Sequence, residues 1–150
     1  MDTLTWSLRP ATPDDVEPIA ELRAVVLRPD LERLGRFDER RVRQRFRDAF
    51  VAEQLSVIVA EGRFAGCVAL RPAEDGHEDG HWLEHFFIDP ALQGRGLGSA
   101  VLRTLLARTD ADGVTVRLNV LQGSKARRLY ERHGFTVESE DSVDVFMVRG

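Results

Sequence analysis

The spacing of apolar residues along the chain predicts strands and helices in the order βααβββαβαββ. Alternating positions rich in β-branched residues are typical of strands, and apolar positions three and four apart are typical of amphipathic helices. Strands are predicted at 6–9, 55–60, 64–71, 82–88, 114–120, 136–139 and 143–149. Helices are predicted from residue 12, from residue 38, after the glycines at 94–98, and from residue 124. This mixture is typical of the α/β class.

Local signals set the boundaries of the first two helices. Thr12-Pro13-Asp14-Asp15 combines a hydroxyl cap, an early proline and acids near the helix dipole. Arg28-Pro29 is expected to end this helix. The second helix is expected over 38–50, with four residues facing the core: Val42, Phe46, Ala49 and Phe50. The acidic, glycine-containing segment 72–80 is expected to be a loop.

Length and composition favour a single globular domain over residues 1–150. A net charge of −4 gives no support for nucleic-acid binding, which needs a basic face. The N-terminal segment MDTLTWSLRP has no apolar core, so neither a signal peptide nor a membrane span is expected. The single cysteine, Cys67, excludes an internal disulfide and favours a cytoplasmic protein.

A glycine-rich loop after the fourth predicted strand is the strongest functional signal. Gln93-Gly94-Arg95-Gly96-Leu97-Gly98 follows a turn at Asp89-Pro90 and precedes an amphipathic helix. Glycines let the backbone approach a ligand closely, and the first N–H groups of a helix have no partner inside it. The helix dipole adds partial positive charge at the same place. The loop therefore predicts a phosphate or pyrophosphate site.

Three kinds of phosphate loop compete for this signal. A P-loop needs Lys followed by Ser or Thr, whereas Ser99 and Ala100 follow Gly98. A dinucleotide loop starting at Gly94 would need a third glycine at position 99, which is Ser99. The pattern that fits is Gln-x-x-Gly-x-Gly, although glycines that merely end strands or cap helices remain an alternative.

A second motif lies at 114–135. The strand Val114–Val120 is followed by a helix with Ser124 as its N-cap, and Gly134 suits the left-handed position after that helix. Phe135 is expected to fold back on the last turn. The run from Leu129-Tyr130-Glu131 to Gly134-Phe135 and the loop at 93–98 together resemble the GNAT superfamily of N-acetyltransferases.

The resemblance covers essentially the whole chain and implies the GNAT fold. That fold has a central mixed, mostly antiparallel twisted sheet of about seven strands, flanked by about four helices. The strands at 82–88 and 114–120 would be parallel and splayed, with the pantetheine arm of acetyl-CoA between them. The residues implied to bind the cofactor are Phe86, Phe87, Ile88, Gln93, Gly94, Arg95, Gly96, Leu97, Gly98, Ser99 and Ser124. Many members carry Asn at a position that corresponds to Gly123 or Ser124 here, so that contact is either weakened or replaced by the Ser124 hydroxyl.

The resemblance also implies catalytic roles. Tyr130 matches the tyrosine that protonates the departing thiolate, although a core tyrosine that packs the helix is the alternative. Strand alternation lets only one of Glu84 and His85 face the cleft. The resemblance favours Glu84 as the base, because some members use a glutamate on this strand, often through water, and His85 could instead be a buried, hydrogen-bonded core residue. A metal site is not expected, since His77, His81 and His85 have helical and not strand spacing. Cys67 is interpreted as a buried structural residue.

The sequence does not identify the acceptor molecule. Six arginines lie between 36 and 47, and Arg36 or Arg40 could clamp an acceptor carboxylate or phosphate, or the helix could simply present a solvated charged face. The acidic segment 138–141 could instead attract a cationic amine. The function expected from the resemblance is direct acetyl transfer from acetyl-CoA to a primary amine of a small molecule or peptide. A non-catalytic acyl-CoA-binding module is the alternative, and a homodimer is common among similar proteins.

Overall fold

A computed structural model describes residues 4–73 and 80–150. Within these residues the chain forms seven strands and four α-helices, and the predicted order is confirmed. The elements are β1 (Trp6–Pro10), α1 (Val16–Arg33), α2 (Glu39–Ala49), β2 (Leu55–Ala60), β3 (Arg63–Pro72), β4 (His81–Ile88), α3 (Leu97–Ala111), β5 (Val116–Leu121), α4 (Ala126–Arg132), β6 (Thr136–Glu140) and β7 (Asp144–Arg149). The predicted loop at 72–80 falls mainly on 74–79, which lie outside the described residues, and Pro72 belongs to β3.

The seven strands are ordered β1-β2-β3-β4-β5-β7-β6. The pairs β1–β2, β2–β3, β5–β7 and β6–β7 are antiparallel, and β4–β5 is parallel. The parallel pairing joins His81 to Val116 and Trp82 to Arg117. The expected mixed sheet with a parallel pair at these two strands is therefore confirmed.

The chain forms two compact units. The first contains the described residues up to Ala69 together with His85–Leu97, and the second contains Leu70–Glu84 and Gly98–Gly150. In the first unit the core includes Ile19 from α1, Phe46 from α2, Val57 from β2 and Phe87 from β4. In the second unit the buried side chains come from α3, β5, α4 and β7: Leu102, Leu118, Phe135, Val145 and Met147.

Helix α1 continues past Pro29, so the predicted end at Arg28-Pro29 is wrong. Proline has no N–H, and the carbonyl of Val25 four residues earlier loses its helical partner. Val25 is 54% exposed, so water can satisfy that carbonyl at little cost. The helix ends instead just before Gly35, whose φ of +69° suits glycine.

Helix α2 begins at a carboxylate cap. The Asp38 side chain accepts hydrogen bonds from the backbone N–H groups of Arg40 and Arg41 at 3.0 and 2.9 Å. Val42 and Phe46 are buried as predicted. Ala49 is exposed, which corrects its predicted burial. It is the last residue of α2, and Phe50, in extended backbone, packs against the Phe46 ring instead.

Candidate functional site

The predicted site residues divide between the two units. The first unit holds the end of β4 and the glycine loop: His85, Phe86, Phe87, Ile88, Gln93, Gly94, Arg95, Gly96 and Leu97. The second unit holds Glu84, Gly98, Ser99, Ser124 and Tyr130.

The glycine loop depends on its backbone conformation. Gly94 and Gly96 have φ values of +77° and +81°, in the left-handed region that strains other residues. A Cβ atom at either position would have no neighbour within 4 Å, so packing alone does not require glycine there. The loop is exposed from Gln93 to Gly96, and Leu97, the first residue of α3, is buried. These features fit a loop whose open backbone approaches an anion beside a helix N-terminus.

Hydrogen bonds fix the entry into this loop. The Asp89 side chain accepts from the Ala91 N–H at 2.9 Å, and the Asp89 N–H donates to the Ala65 carbonyl at 2.8 Å. The Gln93 side-chain amide donates to the Ile88 carbonyl at 2.9 Å. Gln93, predicted as a cofactor residue, thus holds the loop against the end of β4. The Ile88 carbonyl keeps a second lone pair for another donor.

Strand β4 is distorted at His85. His85 has a φ of +48°, which is uncommon for a residue with a side chain and interrupts the alternation of the strand. Its carbonyl accepts a hydrogen bond from the Cys67 thiol at 3.1 Å. Its ring meets the Phe46 ring edge-on, with centroids 5.2 Å apart. A positive φ at a residue with a side chain raises the energy of the backbone, so it persists only where neighbouring residues hold it. Such strained positions are often found at functional sites.

A glycine in β3 allows a close approach to the same part of β4. A Cβ atom on Gly66 would lie 2.0 Å from the Phe87 carbonyl oxygen, which no side chain permits. Cys67, next to it, is fully buried. Burial raises the pKa of the Cys67 thiol to about 12, and a hydrogen bond from the Phe87 backbone lowers it only in part. The thiol is therefore protonated at neutral pH, in agreement with its interpretation as a structural residue.

In the second unit, the carboxylate of Glu84 is paired. Both of its oxygens accept from the Arg71 guanidinium, at 2.8 and 2.9 Å. The two side chains are 24% and 30% exposed, so solvent reaches the pair. The Arg71 guanidinium also lies 5.9 Å from the centroid of a Trp82 ring. Trp82 and Glu84 thus contact the same partner, Arg71. Strand alternation predicts this, because residues two apart in a strand face the same side.

Tyr130 lies near the C-terminus of α4. The helix ends as predicted, with a left-handed Gly134 and with Phe135 folded back on the last turn. Gly134 has a φ of +88°, and the Phe135 N–H donates to the Tyr130 carbonyl at 3.1 Å. The two rings pack with centroids 5.8 Å apart. Tyr130 is 7% exposed, and burial raises the pKa of its hydroxyl. In the part of the chain that the structure describes, this hydroxyl makes no hydrogen bond, so it can donate to a ligand.

Two serines have partners that bear on their predicted roles. The Ser124 hydroxyl oxygen accepts from the Ala126 N–H at 3.2 Å, which leaves its proton available. The Ser99 hydroxyl lies 2.8 Å from Nε2 of His133. Burial lowers the pKa of His133, and the charges of Arg103, Arg132 and Arg149 lower it further. Nothing in the spacing of the sequence links Ser99 to His133, because they are 34 residues apart.

The arginines at 36–47 fall into two groups. Arg43 and Arg47 on α2 are paired with Glu21 and Glu17 on α1, with closest distances of 2.7 and 2.8 Å. For these two, a charged outer face is the right interpretation. The other four are Arg36, Arg40, Arg41 and Arg45, and their side chains make no ion pair with any described residue.

The acidic segment 138–141 is largely engaged in local contacts. Glu138 pairs with Arg117 at 3.1 Å, and Glu140 accepts from the Gln122 amide at 3.0 Å. One Asp141 oxygen accepts from two backbone N–H groups, at 2.8 and 2.7 Å. The segment therefore has less free charge for a cationic acceptor than its composition indicates.

Among residues 4–73 and 80–150, no group of three His, Cys, Asp or Glu side chains is placed to hold a metal ion. His77, one of the three histidines considered above, lies outside the described residues. No helix in the described part of the chain combines the length and the apolar character needed to cross a membrane.

Comparison with known proteins identifies the family. Residues 48–137 match the family model of the acetyltransferase (GNAT) domain. A GCN5-like protein acetyltransferase of Mycobacterium tuberculosis is 46% identical over 56 residues, which cover 36% of this chain and 27% of that relative. The spermine/spermidine N(1)-acetyltransferase of Bacillus subtilis is 34% identical over 70 residues, which cover 45% of this chain and 46% of that relative. The matched segments span less than half of either relative.

The fold is similar to the crystal structure of the PaiA N-acetyltransferase of Thermoplasma acidophilum in complex with coenzyme A. The TM-score is 0.75 at 17% identity, covering 97% of this chain and 98% of that one. Because the family model matches more than half of the chain, the chain belongs to the GNAT acetyltransferase family. The expected family and fold are confirmed, and acetyl-CoA is the acyl donor that this family uses.

Proposed function

We propose that this protein is an N-acetyltransferase that transfers the acetyl group of acetyl-CoA directly to a primary amine of a small molecule or peptide. The observation that carries this proposal is the open loop with left-handed Gly94 and Gly96 leading into α3. The family match supports it, and since residues 48–137 include parts of both units, residues 1–150 are assigned to a single N-acetyltransferase domain.

The donor is held mainly through the backbone. The N–H groups from Gly94 to Ser99 bind the pyrophosphate, and main-chain groups of Phe86, Phe87 and Ile88 bind the pantetheine arm. The φ of +48° at His85 supports this assignment, because it turns backbone groups out of the regular β ladder just before those residues. The Ser124 hydroxyl proton supplies a further donor. A main-chain N–H in this part of β4 polarises the acyl carbonyl.

Acetyl-CoA supplies an activated acyl group as a thioester. The amine nitrogen forms a bond to the acyl carbon, the carbon–sulfur bond breaks, and the amine loses a proton. Tyr130 donates its hydroxyl proton to the departing thiolate sulfur, and its raised pKa keeps that proton in place at neutral pH. Bringing donor and acceptor together contributes several kcal/mol, on the order of 7 or more in favourable cases.

Glu84 is the proposed base and takes the amine proton through a water molecule. The bidentate bond to Arg71 fixes the carboxylate and leaves one lone pair on each oxygen for water. Arg71 is thus a positioning residue for Glu84. His85 is the second candidate for the base, since it lies one residue further along β4.

The direct test measures binding and turnover separately. Acetyl-CoA and ATP are titrated by calorimetry, and free thiol release is then followed with a panel of primary amines that includes spermidine, the substrate class in the name of one relative. We expect acetyl-CoA to bind and at least one amine to be acetylated. Preference for ATP contradicts the proposal, and tight acetyl-CoA binding without turnover on any amine favours an acyl-CoA-binding module.

The base is tested with a matched pair of variants. Glu84→Gln removes a carboxylate paired with Arg71, and Glu138→Gln removes a carboxylate paired with Arg117 on β5. We expect Glu84→Gln to lower kcat about 100-fold, in the range of general base catalysis, and Glu138→Gln to leave kcat unchanged. Equal kcat values for the two variants would remove Glu84 from the mechanism and direct attention to His85.

A further inference from the structure

Arg23 on α1 has an unmet hydrogen-bonding edge. One terminal nitrogen, Nη1, donates to the Val42 carbonyl of α2. The Nε atom is buried and has no hydrogen-bond partner among the described residues. Since Nη1 is already held, the Nε–Nη2 edge is the side of the guanidinium that can receive a ligand. That edge donates two parallel hydrogen bonds and matches a carboxylate or another oxyanion.

No acidic residue of α1 or α2 is free to serve Arg23. The carboxylates of these helices bond to other residues: Glu17 to Arg47, Glu21 to Arg43, Asp30 to Arg33, Glu32 and Glu39 to Arg28, Asp38 to the α2 backbone, and Asp48 to Gln44. The charge that acts on Arg23 is the like charge of Arg45. Burial lowers the pKa of Arg23, and Arg45 lowers it further. Arg23 and Arg45 thus carry positive charge that no carboxylate of these two helices neutralises.

Within the first unit, α2 links these arginines to the distorted part of β4. Val42 and Phe46 are four residues apart and occupy one face of α2. Arg23 bonds to the first, and the ring of the second meets His85 edge-on with centroids 5.2 Å apart. Arg45 directly precedes Phe46 on the helix. Both arginines therefore lie on the two helices of the first unit that are linked to His85, which directly precedes the residues of β4 proposed to bind the pantetheine arm.

We propose that Arg23 and Arg45 form a subsite for an oxyanion carried by the amine acceptor, namely a carboxylate as in an amino acid. This inference rests on the proposed function and specifies its substrate class. Arg23 binds the carboxylate through its Nε–Nη2 edge, and Arg45 contributes charge from the neighbouring helix. The acceptor is thus a primary amine with an acidic group, and a polyamine is a poor substrate because it brings positive charge to two unpaired guanidiniums.

The test compares matched acceptors with matched variants. Each amino acid is assayed beside its amide and its decarboxylated amine, with aminoalkylphosphonates as a second oxyanion and spermidine as a cation. The variants are Arg23→Met, Arg23→Lys and Arg45→Gln, with Arg47→Gln as control, because Arg47 lies on the same helix and is already paired with Glu17. Thermal unfolding and acetyl-CoA affinity show whether each variant folds.

We expect kcat/KM for the amino acid to exceed that of its amide about 10- to 100-fold, and this preference to disappear in Arg23→Met and Arg45→Gln. Arg47→Gln keeps the preference, and Arg23→Lys restores only part of it because Lys lacks the planar fork. If Arg23→Met does not fold, the exposed Arg45 carries the test. A preference for phosphonates over carboxylates refutes the carboxylate assignment.

Two outcomes separate failure of the subsite from failure of the function. The subsite alone is overturned if amides, decarboxylated amines or spermidine react as fast as amino acids. It is also overturned if Arg23→Met and Arg45→Gln lower kcat/KM equally for every acceptor. The absence of thiol release with any acceptor overturns the proposed transferase itself.

Discussion

Replacing Tyr130 by Phe separates the catalytic from the structural role of this side chain. The ring stays in place against Phe135, so the packing of α4 is retained. The hydroxyl that is lost makes no hydrogen bond within the described residues, and Tyr130 is 7% exposed. Among the described residues, only Arg23 Nε and His81 Nδ1 are buried side-chain atoms without a partner, so the Tyr130 hydroxyl is not a buried unsatisfied group. We therefore expect the free energy of unfolding of Tyr130→Phe to stay within about 1 kcal/mol of the unmodified protein, with Tm shifted by no more than about 2–4 °C.

The same substitution should slow the reaction. A general acid typically contributes a factor of about 100 to 10,000, so we expect kcat to fall at least about 100-fold while the Kd of acetyl-CoA changes little. Thiol release gives kcat, calorimetry gives Kd, and differential scanning calorimetry gives stability. A kcat within about twofold of the unmodified protein refutes the acid role of Tyr130.

A packing variant serves as the opposite control. Phe135→Leu keeps the Tyr130 hydroxyl and trims a fully buried ring. It should lower the free energy of unfolding by about 1–2 kcal/mol and leave kcat nearly unchanged below Tm. If Phe135→Leu lowers kcat as much as Tyr130→Phe does, the effect of the hydroxyl comes from packing and not from proton transfer.

The glycine loop, the part-buried Arg9–Asp15 ion pair and His133 give three further tests. Gly96→Ala and Gly35→Ala place Cβ atoms at φ values of +81° and +69° in open space, so each should lower the free energy of unfolding by about 1 kcal/mol. Only Gly96→Ala should raise the Kd of acetyl-CoA, by at least about 10-fold. Hydrogen bonds from Arg9, above all, lower the pKa of Asp15 from 3.8 to about 2, so this carboxylate stabilises the fold above pH 3.8 and less as pH falls towards 2. Asp15→Asn should therefore cost about 2 kcal/mol at neutral pH in urea unfolding, and an unchanged midpoint would contradict this. The pKa of His133 is lowered in the free protein, so a phosphate bound nearby should favour its protonated form. The affinity for acetyl-CoA should therefore rise as pH falls from about 8 to about 6. The variant His133→Gln should abolish that rise.

Local sequence rules predicted the motifs well, because each depends on a few adjacent residues. The left-handed Gly134 and the return of Phe135 onto Tyr130 follow from backbone preferences. The same rules failed at Pro29, where the helix continues. There the outcome depended on whether the freed carbonyl met water, and exposure is a property of the folded chain.

The sequence predicts which residues form the candidate site better than it predicts what their side chains contact. Glu84, His85, Tyr130 and the loop at 93–98 were singled out from the sequence, and their catalytic and binding roles stay predictions. Arg71 was missed, because it lies 13 residues from Glu84 and carries no motif of its own. Strand alternation could not describe β4 beyond Glu84, since the positive φ of His85 depends on contacts with Cys67 and Phe46 from other elements.

The sequence by itself determined the order of elements, the glycine loop and the family motifs, since periodicity, turn geometry and short-range spacing are encoded locally. Only the tertiary structure decided which charges are neutralised. Arg43 and Arg47 are paired and Arg23 and Arg45 are not, although all four are equivalent in a count of arginines. Ion pairing and burial depend on residues brought together from distant parts of the chain, and for this reason the acceptor subsite became visible only in the fold.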